Sequence, residues 1–132
     1  MLIDAEQLTH YQRCHRRAYL DAYGDASQRD APNEYLMKLI QDSQVNQRRF
    51  VEQQACIQPH YPPGDWAAAA AATVALMQQG VEQIFQGVLL AKGPLGVTLK
   101  SNPDLLVRCP GRSDFGDWLY VPMEIKLGKR PK

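Results

Sequence analysis

The sequence predicts an α+β protein, with helices first and an antiparallel β meander after them. Apolar residues recur at helical spacing in the first part of the chain, where six consecutive alanines at 67–72 also favour a helix. The last third contains short, mostly apolar segments separated by glycine and proline, a pattern typical of strands and turns. The length of 132 residues suits one domain. We therefore predict a single domain over residues 1–132, mainly helical over 1–82 and built on a sheet over 83–128.

Composition narrows the class of protein. The hydrophobic fraction of 45% and the charged fraction of 22% are those of an ordinary globular domain. No apolar run approaches the roughly 20 residues that a membrane helix needs, and the first residues lack the features of a signal peptide. Three widely separated cysteines do not suggest a disulfide framework. We therefore expect a cytoplasmic protein without a membrane partner, while the net charge of +1 says nothing for or against nucleic acid.

Two helices are expected in the first 54 residues. Asp4 and Gln7 have the spacing of a capping box, and the apolar residues after them predict a helix over residues 5–22 that can break near Cys14. A second helix is predicted over residues 34–54. Its apolar stripe consists of Leu36, Leu39, Ile40, Phe50 and Val51.

A third helix and four strands are predicted after these two. Asp65 is a good N-cap behind a proline-rich loop at 58–65, and the Trp, Ala, Val and Met residues from Trp66 onward predict a core helix that stops near Gly80. The strands are predicted at residues 84–91, 97–100, 104–108 and 120–127, with a loop over 109–116 between the last two.

The last two predicted strands carry the candidate site. Strand side chains alternate between faces, so Glu124 and Lys126 share one face with their positions about 7 Å apart. If the strand over 104–108 pairs with its polar face aligned, Asp104 converges on them. The opposite face is apolar and is expected to cover a core; it consists of Leu119, Val121, Met123, Ile125 and Leu127.

Two carboxylates beside a lysine suit phosphodiester hydrolysis. Carboxylates are hard oxygen ligands for Mg²⁺ or Mn²⁺, and such an ion polarises a phosphate and lowers the pKa of a bound water. Lys126 can orient or deprotonate that water, or stabilise charge on the phosphate. A solvated strand face with an ordinary Glu–Lys pair has the same spacing, so the residues alone leave both interpretations open.

Several separated segments resemble one nuclease family. Pro103-Asp104 followed by Glu124-x-Lys126 is similar to the PD-(D/E)xK motif. The motif and its surroundings resemble the N-terminal part of RecB-like nucleases, most of all a bacterial, cyanobacterial branch. The segments that carry this resemblance are Cys14–Asp21, Pro103–Leu106 and Tyr120–Lys129. The resemblance spans nearly the whole chain.

The resemblance implies a metal-dependent nuclease that acts on DNA, as an exonuclease, with RNA as an open alternative. Asp104 and Glu124 would bind Mg²⁺ or Mn²⁺ together with the carbonyl of Ile125, and Lys126 would act on the water or the phosphate. Basic residues that can contact nucleic acid, or form a solvated face and tail, are Arg108, Lys129 and Arg130.

The chain departs from the family pattern on the helix over 34–54. Relatives carry a Gly-x-x-His, Gly-x-x-x-His or Glu-bearing motif there, and its imidazole or acid helps to bind the metal. Here Ser43 stands near the glycine position and Asn46 or Gln47 near the ligand position, and an amide is the weaker ligand. The main rival is therefore a non-catalytic nucleic-acid-binding remnant, and a third interpretation is a purely structural interaction domain.

Two more expectations come from the resemblance. Cys14 matches a cysteine that binds a [4Fe–4S] cluster in some relatives, but Cys56 and Cys109 lack the spacing of the other ligands, so no cluster is expected in this chain. In the family, a helix and at least one more strand follow the Glu-x-Lys strand. The resemblance thus implies a fold that is truncated at its C-terminus and completed by a C-terminal domain or a partner chain.

Overall fold

A computed structural model describes residues 1–126, and the predictions that concern Leu127, Lys129 and Arg130 fall outside this range. Within it the protein is mixed α+β, with four α-helices and two three-stranded sheets. The elements in chain order are β1 (Leu2–Asp4), α1 (Ala5–Arg13), α2 (His15–Tyr23), α3 (Glu34–Gln53), α4 (Trp66–Gln78), β2 (Gln83–Phe85), β3 (Leu89–Lys92), β4 (Thr98–Ser101), β5 (Leu105–Ser113) and β6 (Gly116–Met123).

The predicted helix caps are confirmed. The Asp4 side chain accepts a hydrogen bond from the Gln7 N–H, and the Gln7 side chain accepts one from the Asp4 N–H, both at 3.0 Å. The expected break falls at Cys14, whose φ of −160° is extended, and it separates α1 from α2. Asp65 caps α4 as predicted by accepting the Ala68 N–H at 3.0 Å.

The sheets do not form the predicted antiparallel meander. The first sheet has the order β1-β4-β3, in which β1 runs parallel to β4, and the second has the order β2-β5-β6. The strand β1 was not predicted, because three residues at a chain start show no period that sequence analysis can detect. Its pairing partner lies almost a hundred positions away, from Leu2 to Thr98, and only the tertiary fold brings the two together.

The predicted strand over 84–91 is in fact two strands in different sheets. Gln86 separates them with a φ of 51°, a left-handed conformation that ends strand pairing. Its N–H donates to the carbonyl of Asp104 at 3.0 Å. Gly87 is required behind it, because a Cβ there would lie 2.9 Å from Leu106 Cδ1 and 3.0 Å from Thr73 Cγ2.

The predicted loop over 109–116 is wrong, since β5 continues to Ser113 and turns through Asp114 and Phe115 into β6. Pro110 argued against a strand because it has no N–H to donate. β5 tolerates this proline because β2 pairs only with Leu105–Val107 and leaves that edge of β5 open further along. The register also shifts between Pro110 and Ser113, as expected of a bulge.

At Tyr120, Val121 and Met123, burial in β6 is the reverse of the prediction, whereas Leu119 is half-buried and Pro122 is exposed. Tyr120 packs against the core and donates its hydroxyl to the Val81 carbonyl at 2.6 Å, and the Trp118 indole N–H donates to the Met77 carbonyl at 3.0 Å. Val121 and Met123 remain 42% and 54% exposed. Hydrogen bonding thus decides which face turns inward: two large side chains with polar ends find backbone acceptors at the end of α4.

The core is small and lies between α4 and the second sheet. Its buried members are Ala69, Met77, Ile84, Phe85, Val88, Leu105, Leu106 and the polar Thr73. By contrast, α1, α2 and α3 contain no buried residue. In the predicted apolar stripe of α3, Leu36, Leu39 and Ile40 are 44–53% exposed, while Phe50 and Val51 are half-buried against the sheet. Among the described helices, none combines the length and the apolar character needed to cross a membrane.

Candidate functional site

The candidate site forms where β4 leads into β5. Pro103 and Asp104 connect these strands, and Asp104 is half-buried directly before the buried pair Leu105 and Leu106. Its carbonyl is held by the Gln86 N–H. The backbone at Asp104 is therefore fixed from two sides, by the buried residues after it and by the connection between β2 and β3.

The Asp104 carboxylate reaches the segment that carries the other two motif residues. Its Oδ2 accepts the backbone N–H of Ile125 at 2.9 Å. The last residue pair of the hairpin is Leu105 with Met123, so Asp104 and Glu124 are the next positions on the two chains. The structure therefore brings the Pro-Asp and Glu-x-Lys segments together, as the sequence predicts.

The geometry of the Glu-x-Lys segment differs in one respect from the prediction. Strand β6 ends at Met123, so strand alternation does not set the directions of Glu124 and Lys126. Instead the hydrogen bond from Ile125 to Asp104 anchors the segment. Lys126 Nζ lies 3.2 Å from Glu124 Oε2, and the two side chains are 73% and 68% exposed. An ion pair this exposed adds little stability, so both groups are free to engage a ligand.

Helix α3 contributes an amide. Gln47 Nε2 donates to Asp104 Oδ1 at 3.4 Å, which gives one of the polar side chains on the inner face of α3 the partner it needs. Asn46 lies beside Glu124 and Lys126 on the wall of a neighbouring groove. Helix α3 therefore places an uncharged group in contact with Asp104.

Two open grooves flank α3 at this point. One, of about 490 Å³, is lined by Gln47 and Arg48 of α3 and by Gln58 and Gln86. The other, of about 730 Å³, has an apolar floor and walls formed by Asn46, Arg49, Phe50, Gln53, Gln83, Leu105, Val107, Met123, Glu124, Ile125 and Lys126. The second groove contains Glu124 and Lys126 of the candidate site, and the first contains Gln47, the residue of α3 that contacts Asp104.

The donor set suits a hard divalent cation. Asp104 and Glu124 offer carboxylate oxygens, and the backbone of Ile125, whose N–H contacts Asp104, also carries a carbonyl. Within residues 1–126 no group of three or more His, Cys, Asp or Glu side chains is placed to hold a metal. Two carboxylates are nevertheless enough for Mg²⁺ or Mn²⁺ sites, because Mg²⁺ keeps several waters and shares its remaining positions with substrate phosphate.

Arg108 lies away from this site. Its guanidinium donates to the Gly80 carbonyl at 2.6 Å and lies 3.7 Å from the Glu82 carboxylate. It lies four positions after Asp104 in sequence, which corresponds to roughly 13 Å along a strand. The structure therefore uses this arginine to fasten β5 to the end of α4.

Arg48 and Arg49 are the cations that sequence reasoning missed. Arg48 lines one groove together with Gln47, and Arg49 lines the other together with Glu124 and Lys126. Both follow Gln47 directly in the sequence, but only the tertiary fold places α3 next to the segments at Asp104 and Glu124.

The three cysteines are free, one of them exposed and the other two half-buried. Cys14 is exposed at the break between α1 and α2. Cys56 is half-buried, donates to Gln83 Oε1 at 3.1 Å, and has a pKa raised by burial. Cys109 lies on β5. No described cysteine therefore takes part in a metal-holding cluster.

Comparisons with known proteins give no match: neither a protein-family model, nor a curated protein, nor a solved structure is similar to this chain.

Proposed function

We propose that this chain is a metal-dependent nuclease of the RecB-like, PD-(D/E)xK type, which hydrolyses phosphodiester bonds in DNA from strand ends. The observation that carries the proposal is the hydrogen bond from the Ile125 N–H to Asp104 Oδ2 at 2.9 Å. It holds Glu124 and Lys126 beside Asp104, although twenty residues separate the two carboxylates in sequence. A solvated Glu–Lys pair on a strand face would not require this contact.

Asp104, Glu124 and the Ile125 carbonyl would hold Mg²⁺ or Mn²⁺. When bound, the ion supplies Lewis-acid polarisation of the phosphate and a more acidic water. The protein's part is to fix its ligands in place. Asp104 is oriented by Ile125 and Gln47, whereas Glu124 is exposed and can turn from Lys126 toward a cation.

Lys126 would position the attacking water or stabilise charge on the phosphate. Its Nζ sits 3.2 Å from the Glu124 carboxylate and the side chain is 73% exposed, so the ammonium group would be able to turn from Glu124 toward substrate. Arg49 lines the same groove and is placed to contact a neighbouring phosphate, a contact that positions nucleic acid without reading its sequence.

A non-catalytic nucleic-acid-binding remnant is the second candidate. The observation that favours it is the amide of Gln47 against Asp104, where relatives present an acid or an imidazole. An amide adds no charge to the donor set and binds a divalent ion less strongly. Under this alternative, nucleic acid binds along the grooves but is not cut.

Cleavage of linear and circular DNA with Mg²⁺, Mn²⁺ or EDTA separates these candidates. The proposal expects ion-dependent cutting of linear DNA that disappears in Glu124→Gln and Lys126→Gln. Glu82→Gln is the matched control, because Glu82 is equally exposed but pairs with Arg108 away from the site. Its activity should equal that of the wild type.

Binding measurements complete the test. Fluorescence anisotropy with labelled DNA in EDTA measures association without cleavage. Salt-sensitive binding without ion-dependent cutting would support the remnant. If the protein neither cuts nor binds DNA, both candidates are overturned.

A further inference from the structure

The helical pair α1–α2 displays an exposed row of aromatic rings that the proposed catalytic site does not use. Tyr11 and His15 stack with centroids 4.2 Å apart and planes inclined by 17°, and Tyr19 and Tyr23 lie 5.2 Å apart. The three tyrosines are 54–67% exposed. Rings that stack on each other in solvent rather than in a core form a surface on which other flat groups can stack.

An arginine lies within this row. Along α2, His15, Tyr19 and Tyr23 recur every four positions, and Arg16 falls on the same side of the helix at 100° per residue. We call these four residues, together with Tyr11, the aromatic face. Residues 11–20 contain three arginines and no acid, whereas Asp21 and Asp25 flank Tyr23. The positive charge therefore lies toward the Tyr11 end of the face.

The ion pairs of α2 lie on its other side. Asp21 pairs with Arg17 at 3.8 Å and also with Arg29, and it accepts a hydrogen bond from His10 on α1 at 3.0 Å. This network holds the two helices together. Among the ion pairs of residues 1–126, none includes Arg16, so its charge is available to a partner.

The first sheet links the start of this helical pair to the Pro-Asp segment. β1 and β4 are parallel, with Asp4 opposite Lys100, and Lys100 Nζ lies 3.7 Å from the Asp4 carboxylate. Asp4 caps α1 directly after β1 ends. β4 ends one residue later, at Ser101, and leads to Asp104. The helical pair and the Pro-Asp segment therefore follow strands that finish at the same end of the sheet.

We propose that the aromatic face binds single-stranded nucleic acid, with bases stacking on its rings and Arg16 contacting a phosphate. Stacking and cationic groups along a surface are how proteins hold single strands without sequence preference. The inference extends the proposed function by naming the strand form that is guided to the site, but its test requires no cleavage. A protein partner that covers the tyrosines is the competing occupant.

The test measures binding of a labelled oligothymidylate in EDTA by fluorescence anisotropy, with the full chain. Tyr19→Ala is expected to weaken binding by roughly 5- to 50-fold, because each base–aromatic stack carries a large share of such affinity. Tyr19→Phe keeps the ring and should keep the affinity. Tyr35→Ala is the matched control, since Tyr35 is 72% exposed on α3 and should bind as wild type.

Charge and stacking are separated by two further arms. Arg16→Gln should reduce the slope of log affinity against log salt by about 0.7, the value for one contact to a single strand, whereas Arg112→Gln on the distant hairpin should not. The wild type should bind an abasic oligonucleotide of equal charge more weakly than it binds oligothymidylate. The abasic strand should bind the wild type and Tyr19→Ala with the same affinity, because it has no bases to stack. Circular dichroism checks that each variant is folded.

Equal binding of the oligothymidylate by Tyr19→Ala, Tyr35→Ala and the wild type would overturn the inference, as would equal binding of abasic and base-bearing strands. A different result would contradict only the proposed nuclease function: the protein would bind the oligonucleotide through stacking but would not cut DNA in the presence of the ion. If the aromatic face instead covers a protein surface, Tyr19→Ala leaves oligonucleotide binding unchanged, which also overturns the inference.

Discussion

Gln47 on α3 donates its side-chain amide to Asp104 Oδ1 at 3.4 Å. This contact joins the long helix to the Pro-Asp segment. A neutral hydrogen-bond donor orients the Asp104 carboxylate but contributes no negative charge. Under the proposed function, the strength of cation binding should therefore depend on this residue.

We predict that Gln47→Glu tightens Mn²⁺ binding by roughly tenfold, which corresponds to about 1.4 kcal/mol, because a third carboxylate joins Asp104 and Glu124. Isothermal titration calorimetry measures the affinity. Gln44→Glu is the control, since Gln44 lines the adjacent groove without a described contact to Asp104. An equal gain in both variants would show that added charge alone, and not a ligand at position 47, is responsible.

Thr73 is the buried polar residue of the core, and its hydroxyl has two partners. Oγ1 donates to the Ala69 carbonyl and accepts the Val88 N–H, both at 2.9 Å. Thr73→Val keeps the shape but leaves the Val88 N–H without an acceptor, which costs about 1–3 kcal/mol of unfolding free energy. Chemical denaturation measures the loss. Thr73→Ser retains the hydroxyl and should lose less; a larger loss in the serine variant would contradict this account.

Because of Tyr120, the hairpin should lose stability at alkaline pH. Burial raises the pKa of its phenol, and the charge of Arg108 opposes part of that rise. Because the folded pKa lies above the unfolded value near 10, this contribution to stability is complete below pH 10 and is lost as the pH rises through the folded pKa. Wild type should therefore lose more unfolding free energy above pH 10 than Tyr120→Phe does.

At neutral pH the same variant should be less stable than the wild type by about 0.5–1.5 kcal/mol, because the hydrogen bond to the Val81 carbonyl is removed. Tyr61→Phe is the control. Tyr61 is half-buried, and its hydroxyl makes no hydrogen bond within residues 1–126. Parallel pH profiles for Tyr120→Phe and the wild type would show that folding does not shift the pKa of this phenol.

Asp21 makes the α1–α2 pair sensitive to acid. Desolvation by itself would raise its pKa, but hydrogen bonds and charge from Arg29 and His10 together lower it below 3.8. The stabilisation is therefore present above pH 3.8 and is lost as the pH falls through the lower folded value. Asp21→Asn should melt at a lower temperature than the wild type at pH 7, and the difference should shrink below pH 4.

Thermal melting followed by circular dichroism measures this effect. Asp30→Asn serves as the control because Asp30 is exposed and joins none of the described ion pairs. A difference between Asp21→Asn and the wild type that stays constant from pH 7 to pH 2 would show that the pairing contributes no pH-dependent stability.

Local features of the chain were predictable because their causes lie within a few residues. The caps at Asp4 and Asp65, the break at Cys14 and the extents of the long helices depend on side chains three or four positions from the backbone groups they satisfy. The same holds for the proposed site in part. The Pro-Asp and Glu-x-Lys segments were recognised by residue type and spacing, and the structure brings them into contact.

The sheet could not be predicted in the same way, because its pairings join distant segments. Whether Gln86 interrupts a strand depends on the carbonyl of Asp104, and whether Pro110 is tolerated depends on how far β2 extends along β5. Alternation in β6 favoured the aliphatic side as the buried one. Two hydrogen bonds, from Trp118 and Tyr120 to the end of α4, turned the other face inward.

The sequence by itself determined the mixed α+β class, the helix limits and the identity of Asp104, Glu124 and Lys126 as a candidate group. Only the tertiary structure decided that Glu124 and Lys126 lie beyond the end of β6, that Gln47 contacts Asp104, and that Arg108 binds Gly80 instead of the site. The physical reason is range. Capping and periodicity act over one or two turns, whereas strand pairing and polar side-chain partners are chosen among groups that meet only after the chain has folded.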